Sequence, residues 1–434
     1  MRGANRRDMV NAGRRIPVLR ILLDSQRRAR LLPMVAVLAS VVAAGQMLFV
    51  LASLGATAAR SDFAFWYAGA RDLGRGVDPY SEFLACCTNL DEPPRGYDYP
   101  PLLAQALRPL SHLSLVAASA IWLLLMAVCV VGVILLMHRL VSPALSSQAR
   151  SLLLAASLLF APLLLNIGAL QLGPLLALIL AVAAYGFVRT RRAYPGVALG
   201  FGGVLRLSPL LPVVLFIRRP RDILSAPVVA AVTTTAGGVL LMLLLIPYTL
   251  EFVLRVLPKL SQGSAYFDNL SLSGVLMRGQ LLATHRVGPW TARLAQLLGV
   301  ALVAITWWRC RSARGERQRA VAFAAVLATL PIVSPLTWSH HLVLELLVYA
   351  LLAPSLVSGG GPWVLALLSY PLLDRLPEVV FAAAAYGLHL PEWGAAWFNL
   401  GANVATLVGM GLLWAACMVA MARMPGPGAL GGAP

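Results

Sequence analysis

The sequence predicts an all-α, polytopic membrane protein, and three observations carry that prediction. Of its 434 residues, 59% are hydrophobic and only 12% charged, with a mean hydropathy of +0.79, outside the usual range of water-soluble chains. Uncharged runs such as Leu31–Gly55, Ala117–Met137 and Ser225–Pro247 match the roughly 20 residues a helix needs to cross a bilayer. The net charge of +18 sits in short blocks between such runs, the pattern of cytoplasmic loops. Blocks of this kind face anionic lipid headgroups, and their separation by apolar spans argues against a nucleic-acid surface.

Taken in order, residues 1–30 read as a basic tail on the inner side. The first span, 31–54, lacks a small-residue cleavage site near its end and reads as an anchor, not a removed signal peptide. It leads to an outer loop, 55–116, which holds seven of the seventeen Asp and Glu residues. There Asp62 follows a candidate N-cap, Ser61, and opens a stretch whose apolar residues Phe63, Trp66, Tyr67 and Ala70 recur at helical spacing. The spacing predicts a helix lying on the membrane with its rings at headgroup level. Taken alone, Asp62 is better explained by the favourable field at a helix N-terminus.

A second span, 117–138, returns to His138 and Arg139, and runs 151–165 and 170–188 go out and back through the turn Asn166–Gly173. Segment 196–217 is basic on both flanks, at Arg189–Arg192 and Arg218–Arg221. A single span would put Arg218–Arg221 outside, so the sequence predicts a re-entrant hairpin of two short helices turning near Arg206–Pro209. Spans at 225–247 and 291–308 enclose a second outer loop, 248–290. Segment 320–336 leads out to Ser334–His341, and 342–357 leads back in. The run 362–385, interrupted by Asp374 and Arg375, reaches a short outer turn at His389–Trp393. A last span, 400–422, precedes a Gly/Pro-rich tail, 423–434. The total is about twelve membrane helices in one domain, 31–422.

This topology gathers Asp62, Asn166, Gln171, His340 and His341 at the outer face, with Arg206 at the hairpin tip. Ionisable residues at the membrane edge are functional by default. An acid, two imidazoles, an arginine and carboxamides suit deprotonation of a hydroxyl and expulsion of a phosphate. Each has a plainer reading: Trp338 as a belt aromatic, the His340–His341 pair as an interfacial accident, and Arg206 as one more inner-side charge. Glu345 lies one helical turn after His341, but no third histidine follows at that spacing, so no metal and no other cofactor is expected. The five cysteines form no CxxC. Cys86 and Cys87 are adjacent, which makes their mutual disulfide awkward.

The run Asp62-Phe-Ala-Phe-Trp-Tyr-Ala-Gly-Ala, then Gly76-Val-Asp-Pro-Tyr80, Tyr99-Pro-Pro-Leu102 and Arg108-Pro-Leu110, resembles the first outer loop of glycosyltransferase family 87. The resemblance continues, in order, at Asn166–Gly173, Gly196–Pro209, Asn269-Leu-Ser-Leu-Ser-Gly274 and Ser334-Pro-Leu-Thr-Trp-Ser-His-His341. It implies a membrane enzyme of GT-C type that moves a sugar, mannose by preference, from a polyprenyl phosphate to a glycolipid or polymer-linked glycan outside the cell membrane. It further implies Asp62 as catalytic base and His340 or His341, with Arg206, at the donor phosphate. Tyr67, Tyr80, Tyr99, Asn166, Gln171, Asn269 and Trp338 are the implied substrate-binding residues. Two departures stand out: Arg206 occupies a position where the family pattern has lysine, and the Asn166–Gln171 carboxamide motif is looser than the compact family form. Three rivals are an arabinofuranosyltransferase of the same family, a wall-polymer ligase of another GT-C type, and a transporter or lipid flippase. The last would use midplane charges on interrupted helices, for which Glu345, Asp374 and Arg375 are the available residues.

Overall fold

The computed structural model describes residues 25–86, 92, 95–189, 193–357, 362–389 and 391–424. The tail up to residue 24, Arg191, Arg192 and the C-terminal residues from 425 lie outside them, so the expectations placed on those segments have no structural counterpart here. No strand occurs among the described residues. Helix α1 (Ser25–Thr57) crosses first. A helix of the outer loop, α2 (Asp62–Gly74), follows, and α3 (Leu115–Val141) crosses back. Ser114 starts α3 by accepting the Ala117 N–H at 3.3 Å, a serine N-cap.

The next apolar stretch is a bent pair of helices. Helices α4 (Ser147–Leu159) and α5 (Ala161–Gly168) meet at 43°, because Phe160 is extended and Pro162 in the first turn of α5 cannot continue the ladder of α4. Asp374 accepts the freed Ala161 N–H at 2.6 Å. Helix α6 (Gly173–Arg189) then leads to α7 (Tyr194–Leu205). After α7 the chain turns at the extended residue Arg206 into a 3₁₀ segment, Ser208–Phe216. Pro209 and Leu210 of that segment lie against Gly202 and Gly203 of α7, so the chain doubles back. Its two ends meet one end of the bundle. Trp307 donates to the Ile217 carbonyl at 2.7 Å, Arg218 to Ala313 at 2.8 Å, and Arg189 pairs with Glu316 at 2.8 Å.

Helix α8 (Ala226–Leu245) packs tightly on α7. A Cβ on Gly200 would lie 2.6 Å from the Ala231 carbonyl oxygen, and one on Gly196 would overlap that of Pro227. This small-xxx-small stripe lets the two backbones touch. Beyond α9 (Leu272–Thr284) and the crossing helix α10 (Pro289–Cys310) lies α11 (Glu316–Val333). Helix α11 is apolar on every side from Ala320 to Ile332, and every residue of that stretch is buried, as expected for the central helix of a bundle. Around it stand α6, α10, α12 (Glu345–Val357) and α15 (Glu392–Arg423), with α13 (Trp363–Leu373) and α14 (Leu376–Gly387) packed on α15.

Six helices among the described residues are long and apolar enough to cross a membrane, seven with the bent pair; α6, α7, α13 and α14 are shorter apolar helices. The count therefore does not reach the expected twelve, because prolines, glycines and the Asp374–Arg375 break leave several apolar runs too short to span alone. The loops the sequence places outside do share one end. Tyr248 donates to the Gly76 carbonyl at 2.6 Å, and Lys259 to those of Phe83 and Cys86 at 2.9 and 2.7 Å.

Two local expectations are corrected. Helix α2 does not present its rings to headgroups: Phe63 and Trp66 are buried, Phe63 stacking on Trp122 of α3 at 5.4 Å. Ser61 occupies the N-cap position but caps nothing with its side chain; its hydroxyl donates back to Ala58 at 2.7 Å. Cys86 is disulfide-bonded, whereas Cys129, Cys310 and Cys417 are free.

Candidate active site

The site begins with the turn between α5 and α6. Leu170 adopts the left-handed region at φ 55°, a conformation that costs a non-glycine residue about 1–2 kcal/mol. What holds it is visible: Trp122 donates its indole N–H to the Leu170 carbonyl at 2.9 Å, and the Gln171 N–H returns to Asn166 at 2.9 Å. The result aims Gln171 at α2, where its amide donates to the Asp62 carboxylate. The Asp62 backbone N–H in turn reaches the Ala169 carbonyl at 3.2 Å. Asp62 is thus fixed by two strands of contact to one turn, with one carboxylate oxygen left for a ligand.

Asp62 opens onto a polar cavity of about 210 Å³ that Asp98, Tyr99, Asp268, Trp338 and His340 also line. Burial pushes the Asp62 carboxyl up to about 6. Asp98 is also raised to about 6, by burial first, with Arg206 pulling it down and Asp62 pushing it up. Asp268 reaches about 6 through burial, against the lowering effect of the hydrogen bond that the Ser339 hydroxyl donates to it. All three carboxyls remain mostly ionised at neutral pH, yet sit within reach of a proton.

A second cavity, of about 690 Å³, adjoins the first; Asp98, Tyr99 and Trp338 line both. It is a groove walled mainly by Leu and Val side chains from α7, the 3₁₀ return, α8 and the 248–261 segment, and its polar end holds Arg206 and His341. Arg206 faces His341 at 2.8 Å. A guanidinium has only donors, so the imidazole nitrogen it meets carries a lone pair. The Trp338 N–H lies 3.1 Å from the other ring nitrogen.

The expected residues fall into two groups. Asp62, Tyr99, Gln171, Arg206, Trp338, His340 and His341 come together around the two cavities. Tyr67, Tyr80, Asn166 and Asn269 stand behind the wall. Tyr67 donates to the Leu113 carbonyl at 2.7 Å and Tyr80 to that of Tyr99 at 3.0 Å. Asn166 donates to the carbonyls of Pro162 at 2.7 Å and His340 at 2.6 Å. Asn269 is wholly buried and clamps two loops, donating to Ser264 and Pro335 at 2.8 and 3.0 Å and accepting from Thr337 at 3.0 Å.

Asp98 and Asp268 are the cavity residues that sequence reasoning missed. The signal was there: each acid is flanked by aromatics in an outer loop, as Tyr97-Asp98-Tyr99 and Tyr266-Phe267-Asp268. Gly69 adds a structural reason for the first, since a Cβ there would lie 2.7 Å from the Tyr97 ring, so α2 presses directly on this strand of loop. Among the described residues no group of three His, Cys, Asp or Glu is placed to hold a metal ion.

No curated protein matches the chain. The family model of glycosyltransferase family 87 matches residues 97–335, more than half the length. The match takes in Asp98, Gln171, Arg206 and Asp268, and stops short of Asp62 on one side and of Trp338–His341 on the other. A helical membrane architecture, paired polar and apolar cavities, and this match agree: the chain belongs to glycosyltransferase family 87.

Proposed function

We propose that the protein transfers a sugar, mannose, from a polyprenyl-phosphate donor to a lipid- or polymer-linked glycan on the extracytoplasmic side of the cell membrane. The observation that carries this reading is the junction of the two cavities. An isoprenoid chain is apolar and needs a greasy groove, its phosphate needs a cation, and sugars need a polar chamber. The 690 Å³ groove, the Arg206–His341 pair and the 210 Å³ chamber supply these three environments in that spatial order.

In the reaction, the acceptor oxygen attacks the anomeric carbon as the bond from that carbon to the phosphate oxygen breaks. The proton of the acceptor hydroxyl goes to Asp62, and the electron pair of the broken bond leaves on the phosphate. Arg206 donates to the departing oxygens, a charge-assisted contact that strengthens as negative charge develops there. Attack from the face opposite the phosphate inverts the anomeric centre. Gln171 holds the Asp62 carboxylate in place. The chemistry asks nothing of a metal, because a phosphate leaves readily.

Mannose in preference to arabinofuranose rests on the His340–His341 pair of the family resemblance. The outer-side assignment rests on the basic blocks and on the bonded Cys86, since disulfides persist in oxidising compartments. The transporter reading loses two of its three residues to structural roles: Asp374 caps α5, and Arg375 pairs with Glu378. The test is a reconstituted assay with polyprenyl-phosphate mannose, polyprenyl-phosphate arabinose and GDP-mannose offered separately, products read by mass spectrometry. Transfer from the first donor alone is expected; transfer from GDP-mannose overturns the donor class, and preference for arabinose overturns the sugar.

A further inference from the structure

A third cavity, of about 360 Å³, lies apart from the two just described, between α3, α4, α6 and α12. Its walls are apolar, and it runs along the bundle. At one end it touches Leu163, Pro174 and Val343, within one helical turn of Asn166, Gln171 and His341 in sequence. At the other end it opens beside His138, Ser142, Ser147, Arg150 and Ser151, where α3 ends and α4 begins. Arg150 is half-buried there and makes no side-chain hydrogen bond or ion pair with any described residue. No Asp or Glu occurs between Asp98 and Asp222 in the sequence, so no carboxylate from this part of the chain can neutralise the mouth. A slot with apolar walls, one unpaired guanidinium and three or more hydroxyls at its rim has the chemistry of a single lipid: acyl chain inside, anionic headgroup outside.

We infer that this slot is a binding site for one anionic glycerophospholipid, held by its phosphate at Arg150 and the Ser147 and Ser151 hydroxyls, with an acyl chain lying along α3 and α12. The site is separate from the donor groove, which shares none of the residues at this mouth. It differs from a general attraction of basic loops to the bilayer in two respects: it is saturable, and it depends on the slot. A lipid here braces α12 directly below the histidines and fills a void that would otherwise cost packing energy.

The test uses the full-length protein, exchanged into detergent and offered equal amounts of phosphatidylglycerol and phosphatidylcholine with identical acyl chains. Native mass spectrometry then counts the lipids retained. One phosphatidylglycerol is expected to persist, favoured at least tenfold over phosphatidylcholine. Arg150→Gln should bring the two lipids to parity, whereas Arg139→Gln, an exposed arginine outside the lining, should change nothing. Ala177→Phe, which fills the slot, should reduce retention of both lipids; if it fails to fold, the Arg150→Gln result decides alone. Equal retention by the wild type, retention unchanged in Arg150→Gln, or displacement of phosphatidylglycerol by undecaprenyl phosphate would each overturn the inference.

Discussion

Asp62→Asn is the sharpest perturbation, because it changes one proton acceptor and little else. The amide has nearly the same shape and can still accept the hydrogen bond that Gln171 donates to the carboxylate. It cannot take the acceptor proton, and loss of a general base costs about a hundredfold to ten-thousandfold, or about 3–5 kcal/mol of barrier at 1.36 kcal/mol per decade. The pH dependence supplies an independent check. With the Asp62 carboxyl raised to about 6, the ionised fraction is about 0.9 at pH 7 and about 0.1 at pH 5. The sign follows: the base works only when deprotonated, so kcat/KM falls about tenfold as pH drops from 7 to 5. If Asp98, also near 6, must be ionised as well, the fall approaches about a hundredfold, and the two groups titrate as a pair. The assay is transfer of radiolabelled sugar to acceptor in proteoliposomes, with the protein content of each preparation measured. Asp62→Asn should lose both the rate and the acid limb. Near-normal turnover in the variant, or a wild-type rate flat between pH 5 and 7, would refute Asp62 as the base.

Arg206→Ala should raise KM for the lipid-phosphate donor by at least about tenfold, the loss of one charge-assisted contact of about 1.5–3 kcal/mol, and His341→Ala should raise it too, by releasing the guanidinium that His341 holds. EDTA should leave the wild type active; activity abolished by chelator and restored by a divalent cation would point to metal chemistry instead. Asn269→Ala should lower the thermal midpoint, because it strands the Thr337 N–H and takes its donor from the Ser264 carbonyl, at about 1–3 kcal/mol for a buried unsatisfied group. A raised KM with an unchanged midpoint would return Asn269 to the substrate. Glu82→Cys and Ser312→Cys, in a background without the native cysteines, should react oppositely with an impermeant thiol reagent, the first in intact cells and the second only after lysis. Labelling of Ser312→Cys in intact cells would invert the topology.

The fold was legible wherever charge and apolar length speak together. The basic flanks of 196–217 made a doubled-back segment the natural reading, and the chain does return on itself at Arg206, with Ile217 and Arg218 bonded to the same end of the bundle as Arg189. The helix count was less legible. Apolar length is readable, but whether a run is continuous depends on backbone breaks such as the extended Phe160 and the left-handed Arg375, and those depend on neighbours far away in sequence. The same limit misplaced the rings of α2. In a membrane protein the lipid-facing and protein-facing sides of a helix are equally apolar, so periodicity found the face holding Phe63 and Trp66 without saying that Trp122 would cover it.

The candidate site divides along a related line. Residues that reach the cavities with their own side chains, such as Asp62 and His341, stand out by chemical type in greasy surroundings. Asn166 and Asn269 stand out equally, yet their NH2 groups are consumed by backbone carbonyls; a buried turn without regular structure needs a side-chain partner for its peptide groups, and a carboxamide supplies the donor and, at Asn269, the acceptor for the Thr337 N–H as well. Sequence therefore marks where polar chemistry is concentrated but cannot separate the groups that meet a ligand from those that hold the loops. Asp98 shows the converse. It is one of seven acids in one loop, marked in the sequence by its flanking tyrosines alone, and it is its interaction with both Asp62 and Arg206 that gives it a place in the site. An acid between the proposed base and the proposed phosphate ligand is felt by both, so the negative charge of a bound donor phosphate should raise the pKa of Asp98, and with it the pH at which donor affinity changes.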